Sequence, residues 1–271
     1  MLWEFESLFA HQNKIKVNNY TTLLELFFDQ YEKQDKNNIF LINLGNPKHK
    51  LSWEKTYLLV NHLSNQISKD IKLGDRCVLI SENRPEWLIS DLAIMLAGGI
   101  SVPSYTTYTT KDYEYIIKDC EPSVIIVSNN IQFNKIKNIL DYKKIKKIIS
   151  FDRIENLKFQ NYLCIEDIIN KKDGFENFNS EITLKRSDPA CIIYTSGTQG
   201  NPKGVILSHG GILSNCEGGL WVTKINHIER YEIFDMVAII TFLWTHGTIH
   251  TNCCRCKSIL RREYRQIAQK Y

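Results

Sequence analysis

The chain has 271 residues, 43% hydrophobic and 24% charged, the balance of a soluble globular protein and not of a disordered or membrane-spanning one. Its formal charge of +4 is too small and too scattered to argue for nucleic acid as a partner. No apolar run approaches the roughly 20 residues that a bilayer crossing needs, and the acidic start, Met1-Leu-Trp-Glu-Phe-Glu, is unlike a basic secretory signal, so the expected compartment is the cytoplasm.

In chain order, Thr22-Leu-Leu-Glu25 has capping-box form and opens a helix whose Leu23, Leu26, Phe27 and Tyr31 recur at helical spacing. Ile39 to Leu44 reads as a strand and Trp53 to Ser68 as a helix. Ile71-Lys-Leu-Gly-Asp75 is a turn before the buried strand Cys77 to Ile80. In Ser81-Glu-Asn-Arg-Pro-Glu-Trp87, Asn83 is the expected cap and Pro85 fits the first turn; that helix stops at Gly98-Gly99. The pattern repeats: strand Ile100 to Pro103, helix Lys111 to Asp119, strand Val124 to Val127, helix Gln132 to Tyr142, strand Ile145 to Ile149. Strands and helices alternating at this spacing predict parallel βαβ units with helices on both faces. The basic run Lys143-Lys144-Ile-Lys146-Lys147 reads as a solvated helix-to-strand junction, and residues 171–187 as a polar loop. Five single cysteines (Cys77, Cys120, Cys164, Cys191, Cys216) are expected to be buried free thiols of a reducing compartment.

The chemistry concentrates further on. Cys191-Ile-Ile-Tyr194 reads as a strand running into Thr195-Ser-Gly-Thr-Gln-Gly-Asn-Pro-Lys203-Gly, and Val205-Ile-Leu207 leads out to Ser208-His209. Three hydroxyls and three glycines within ten residues make a poor core and a good phosphate cradle. Gly197, Gly200 and Gly204 permit backbone conformations that turn N–H groups toward an anion. Thr195, Ser196 and Thr198 add hydroxyl donors, and Lys203 adds a positive charge. The bland alternative is a plain Gly-rich hairpin, but turn chemistry needs neither the hydroxyls nor the lysine. A Walker A loop is excluded, because the order G-x-x-x-x-G-K-[ST] fails and no helix opens directly after the lysine.

The run Tyr194 to Val205 resembles the signature loop of the adenylate-forming (AMP-binding) superfamily, with Gln199 where that family usually carries Thr or Ser. Gly74-Asp-Arg-Cys-Val-Leu-Ile-Ser-Glu-Asn-Arg-Pro-Glu-Trp87 and Leu92 to Tyr105 are similar to runs in the long-chain fatty acyl-CoA synthetases. The resemblance covers about residues 20–235. It implies an α/β fold of layered, mostly parallel sheets with flanking helices: an N-terminal extension over 1–20, a partial adenylation domain over 21–240 and an atypical tail over 241–271. It further implies fatty acid–CoA ligation, in which fatty acid, ATP and CoA give acyl-CoA, AMP and pyrophosphate. ATP, Mg2+ and CoA are the implied cofactors, and the partners are small molecules. Thr195, Ser196, Gly197, Thr198, Gly200 and Lys203 are the expected ATP-phosphate ligands, and no residue is assigned as catalytic or as a metal ligand. Arg84 and Trp87 are expected to pack and cap a scaffold helix. The resemblance leaves room for peripheral membrane contact.

The family's adenine, ribose, hinge and late-lysine motifs are not found in this sequence, so the chain alone is expected to be inactive. The competing expectations are a truncated or frameshifted remnant and a nucleotide-binding module. Four of nine arginines and three of eight cysteines fall in residues 251–271. The His246, His250, Cys253, Cys254 and Cys256 cluster is read as accidental, since structural zinc usually takes two spaced pairs of ligands.

Overall fold

Runs of β-branched residues build the centre of a seven-stranded sheet. The computed structural model describes residues 19–43, 49–169, 178, 180, 182–195 and 202–223, with side chains to residue 217. The chain divides into two units, Thr21–Gly211 and a second made of Met1–Tyr20 and Ile212–Tyr271. The first holds the sheet. The extension over 1–18 and everything past residue 223, including the His/Cys cluster, lie outside the described residues.

In chain order the elements are α1 (Leu23–Lys33), β1 (Ile39–Ile42), β2 (Lys50–Ser52), α2 (Trp53–Ser68), β3 (Arg76–Ile80), α3 (Pro85–Leu96), β4 (Ile100–Ser104), α4 (Thr110–Cys120), β5 (Val124–Val127), α5 (Asn130–Ile136), β6 (Lys147–Ser150), β7 (Tyr162–Cys164), α6 (Ile165–Ile169), β8 (Pro189–Thr195), β9 (Lys203–Ser208) and α7 (His209–Thr223). The large sheet has the order β7-β6-β5-β3-β4-β8-β9. All its pairings are parallel except β8 with β9. Every residue of β5 and β6 is buried, as expected where helices cover both faces of a parallel sheet. Val78, Ile80, Val102, Ile125, Val127 and Ile148 share one core with Tyr113 and Ile116 of α4 and Phe133 and Ile136 of α5. On the other face, α3 packs against β3 and β4 and is backed by α2.

At the N-terminal end, the β1–β2 hairpin joins an aromatic cluster. Phe40 stacks on Trp53 with centroids 3.7 Å apart, and Tyr31 stacks on Tyr57 at 4.2 Å. Thr22 caps α1, accepting from the Glu25 N–H, while the Glu25 carboxylate reaches back to the Thr21 N–H at 2.6 Å.

Three local expectations are corrected. Arg84, not Asn83, is the N-cap of α3, with φ −132° and ψ 156° and no side-chain capping bond; the following proline forces that extended backbone. The helix expected over 132–142 is the shorter α5. Asn129 caps it early, accepting from the Gln132 N–H, and Asp141 then bonds the Lys143 N–H in a local turn that competes with helix. In the basic run, Lys144 and Lys146 pair with Glu121 and Asp75 near the surface, but Lys147 is 4% exposed and pairs with Asp70 at 2.6 Å.

The turn after α3 requires its glycine. Gly98 has φ +83°, and a Cβ there would lie 2.5 Å from Ile182 Cδ1. The five expected thiols are free and buried. Burial pushes Cys120 and Cys216 up to about 12 and Cys77 and Cys191 higher still. Among the described residues no helix is long and apolar enough to cross a membrane.

Candidate phosphate-binding site

Adjacent strands β3 and β5 send their connections in opposite directions, β3 to β4 on one side and β5 to β6 on the other. In such open α/β sheets, ligands bind beyond the carboxyl ends of the strands. The end of β8 opens at this same edge, because β8 runs parallel to β4 with Ser101 opposite Cys191. There the chain turns back as β9, in register Ile193↔Val205, Tyr194↔Gly204 and Thr195↔Lys203.

Of the six expected ligands, Thr195 and Lys203 are therefore brought face to face across the mouth of the hairpin. Ser196, Gly197, Thr198 and Gly200 fall within 196–201, outside the described residues. Lys203 is exposed, and among the described residues it has no ion-pair partner. An ammonium that can turn toward an anion suits phosphate. Gly204 is corrected: it sits in β9, where a Cβ would lie 3.0 Å from Ile192 and 3.2 Å from the Tyr194 ring. Its lack of a side chain serves close packing beside the loop rather than an anion-facing turn.

Buried side chains fix the root of the loop. Tyr194 is 3% exposed. Its hydroxyl donates to Asp119 Oδ2 at 2.5 Å, and its carbonyl accepts from the Tyr108 hydroxyl at 3.2 Å. Burial, then the bond to Asp119, pushes the Tyr194 phenol far above its ordinary value, and burial also raises Tyr108. Both remain donors throughout the physiological range. At the far end of the hairpin, Ser208 accepts from the Gly211 N–H at 3.1 Å, and the His209 N–H bonds the Asp188 carbonyl. His209 is 1% exposed, its Nδ1 accepts from the Leu23 N–H at 3.4 Å, and burial pulls its imidazole down to about 4 against the pull of Asp188. It is thus a neutral acceptor joining the residue after β9 to the start of α1. Sequence reasoning missed Tyr108, Asp119 and His209 as supports of the loop; the aromatic run after β4 was the visible signal.

A second polar cluster lies beyond β3 and β6. Arg84 grips both oxygens of Asp152, at 2.9 and 2.8 Å, and reaches Glu86 at 3.3 Å. His49 Nδ1 lies 3.6 Å from Glu86. Burial opposes the Arg84 charge, but the bonds to Asp152 and Glu86 outweigh it and hold the guanidinium protonated. With all three guanidinium nitrogens so engaged, the cluster is a clasp, in keeping with the expected scaffold role of Arg84.

Solved structures with the same fold include the anthranilate CoA ligase AuaEII in complex with anthranoyl-AMP, at TM-score 0.62 and 21% identity over 77% of this chain and 39% of that one. A luciferase-like enzyme from the mealworm Zophobas morio matches at TM-score 0.63 and 20% identity, covering 78% of this chain and 47% of that one. The fold is that of the adenylate-forming enzymes. The family model for AMP-binding enzyme matches residues 27–258, well over half of the chain, and the chain belongs to that family. Similar proteins include the long-chain-fatty-acid–CoA ligase ACSBG1 of Rattus norvegicus, 27% identical over 70% of this chain and 27% of the ligase. Gramicidin S synthase 1 of Brevibacillus brevis is 29% identical over 84% of this chain and 19% of the synthase. The chain spans about a quarter of the length of the curated ligases it matches.

Proposed function

We propose that the β8–β9 hairpin grips the phosphates of ATP for the activation of a long-chain fatty acid. The observation that carries this reading is the register pair Thr195↔Lys203 at the carboxyl edge of the parallel sheet. There a hydroxyl donor and an exposed ammonium flank the glycine- and hydroxyl-rich turn.

In this reading the hydroxyls of Thr195, Ser196 and Thr198 and the backbone N–H groups at Gly197 and Gly200 orient the β- and γ-phosphates. Lys203 offsets the negative charge that builds on pyrophosphate as a fatty carboxylate attacks the α-phosphate. CoA thiol then displaces AMP from the acyl-adenylate. Among the described residues no group of three or more His, Cys, Asp and Glu side chains is placed to hold a metal ion, and the reading has Mg2+ arrive with the phosphates. The long-chain acid is supported by the names of the similar ligases.

Titration with Mg·ATP tests the grip. Lys203→Ala removes one charge-assisted contact of about 1.5–3 kcal/mol and weakens binding roughly 10- to 150-fold; equal affinities would move the site elsewhere. Fatty-acid-dependent ATP–pyrophosphate exchange separates acyl activation from its rival, a nucleotide-binding module. Exchange that Lys203→Ala abolishes supports activation by this chain; binding without exchange fits both the module and the expectation that this chain alone is inactive.

A further inference from the structure

We propose that helix α4 is a strut for the phosphate loop, with Tyr108 and Asp119 as positioning residues that hold Tyr194 and through it the loop's first donor, Thr195. This rests on the reading of the hairpin as the ATP grip and extends it to residues that touch no phosphate.

Tyr194 is the last residue before Thr195, and the strut holds it at both ends. Its carbonyl takes the Tyr108 hydroxyl at 3.2 Å, and its own hydroxyl reaches Asp119 near the end of α4 at 2.5 Å. Between these bonds the ring lies against Gly204, which has no Cβ to push it away, and meets the edge of Tyr115 with centroids 6.5 Å apart.

The other end of the strut is itself immobilised. Tyr108 packs edge-on against Tyr105 and Tyr113, at 5.2 and 6.0 Å between centroids. Tyr113, fully buried, donates to the Tyr105 carbonyl at 2.5 Å, and the Lys135 ammonium bonds the Thr106 carbonyl. Immediately after Tyr108, Thr109 and Asp112 form a capping box that starts α4. The segment 105–112 is therefore pinned from the core, from α5 and by its own cap. Catalytic loops lose large factors in rate and affinity when their donors shift by about 1 Å, so a rigid second layer is where such precision resides. A hydroxyl that merely satisfied a strand-end carbonyl would leave nucleotide affinity untouched when removed.

The test is a double-mutant cycle on the full chain, with Mg·ATP as the probe, thermal melting as the check on folding, and the variants Tyr108→Phe, Lys203→Ala and both together. The strut predicts that Tyr108→Phe weakens Mg·ATP binding about three- to tenfold, the size of one net hydrogen bond, in a protein that still melts cooperatively. It further predicts that the double variant loses less than the product of the two single effects, because both act through one loop. Wild-type affinity in Tyr108→Phe with a weakened Lys203→Ala overturns the strut and leaves the grip standing. Strictly multiplicative effects also overturn it, since Tyr108 then acts independently of the loop. No change in either variant overturns both readings. Should Tyr108→Phe fold poorly, Tyr194→Phe removes the bond to Asp119 and carries the same expectation; wild-type affinity there overturns the strut.

Discussion

Two titratable side chains, the buried His209 and the half-buried Asp91, pull the acid stability of this protein in opposite directions. His209 has its imidazole lowered to about 4 by burial, against an ordinary 6.5. Between those values the unfolded chain binds the extra proton, so stability rises with pH through this window and is lost as pH falls from about 6.5 to 4, by on the order of 3 kcal/mol. Asp91 is raised from 3.8 to about 6 by burial, with Ser101 opposing. There the folded chain holds the proton, so its contribution is fully present below about 4 and is lost as pH rises through 6. Urea unfolding at several pH values should show His209→Gln losing the rise between pH 4 and 6.5, while Asp91→Asn steepens it. Parallel curves in all three proteins would contradict both assignments.

At the scale of elements, α4 begins where its cap places it. The Thr109 hydroxyl accepts from the Asp112 N–H, and the Asp112 carboxylate accepts from the Thr109 N–H at 2.8 Å. Thr109→Ala should cost about 1 kcal/mol by thermal or urea unfolding; no loss would mean that tertiary packing alone sets the helix start. The elements legible in the sequence were those carrying two independent signals. Trp53–Ser68 has both its Ser52 cap and a periodic apolar face, and Val124–Val127 is an unbroken apolar run between polar turns. Strands β2 and β7, of three residues each, and the five-residue α6 are too short to show a period. The same division runs through the site. The loop's hydroxyls and lysine sit together in sequence and announce their chemistry. Asp119 and Tyr108, which hold it, lie 75 and 86 residues from Tyr194 and meet it only through the sheet order.

Across the whole molecule, the Arg84 clasp ties the turn after β3 to the end of β6, past the intervening β5. The Glu86 side chain beside it is only 3% exposed, whereas that of Asp152 is 48% exposed. Arg84→Ala strands a buried carboxylate and should cost about 3–5 kcal/mol. Asp152→Ala leaves the Arg84–Glu86 contact and should cost about 1 kcal/mol or less. Equal losses by urea unfolding would mean that the exposed partner, not the buried one, carries the clasp.

The strand order also sets a clock. β4 finds its second neighbour in β8, with Ser101 opposite Cys191 about 90 residues later. At roughly 5–20 residues per second, a ribosome needs on the order of 5–20 s to deliver that partner. Throughout that interval β4 is an edge strand on a nascent chain, its outer N–H and C=O groups open to the first extended segment that arrives. On a crowded polysome that segment can belong to the neighbouring copy, so the interval between making β4 and making β8 is when this sheet most needs a chaperone.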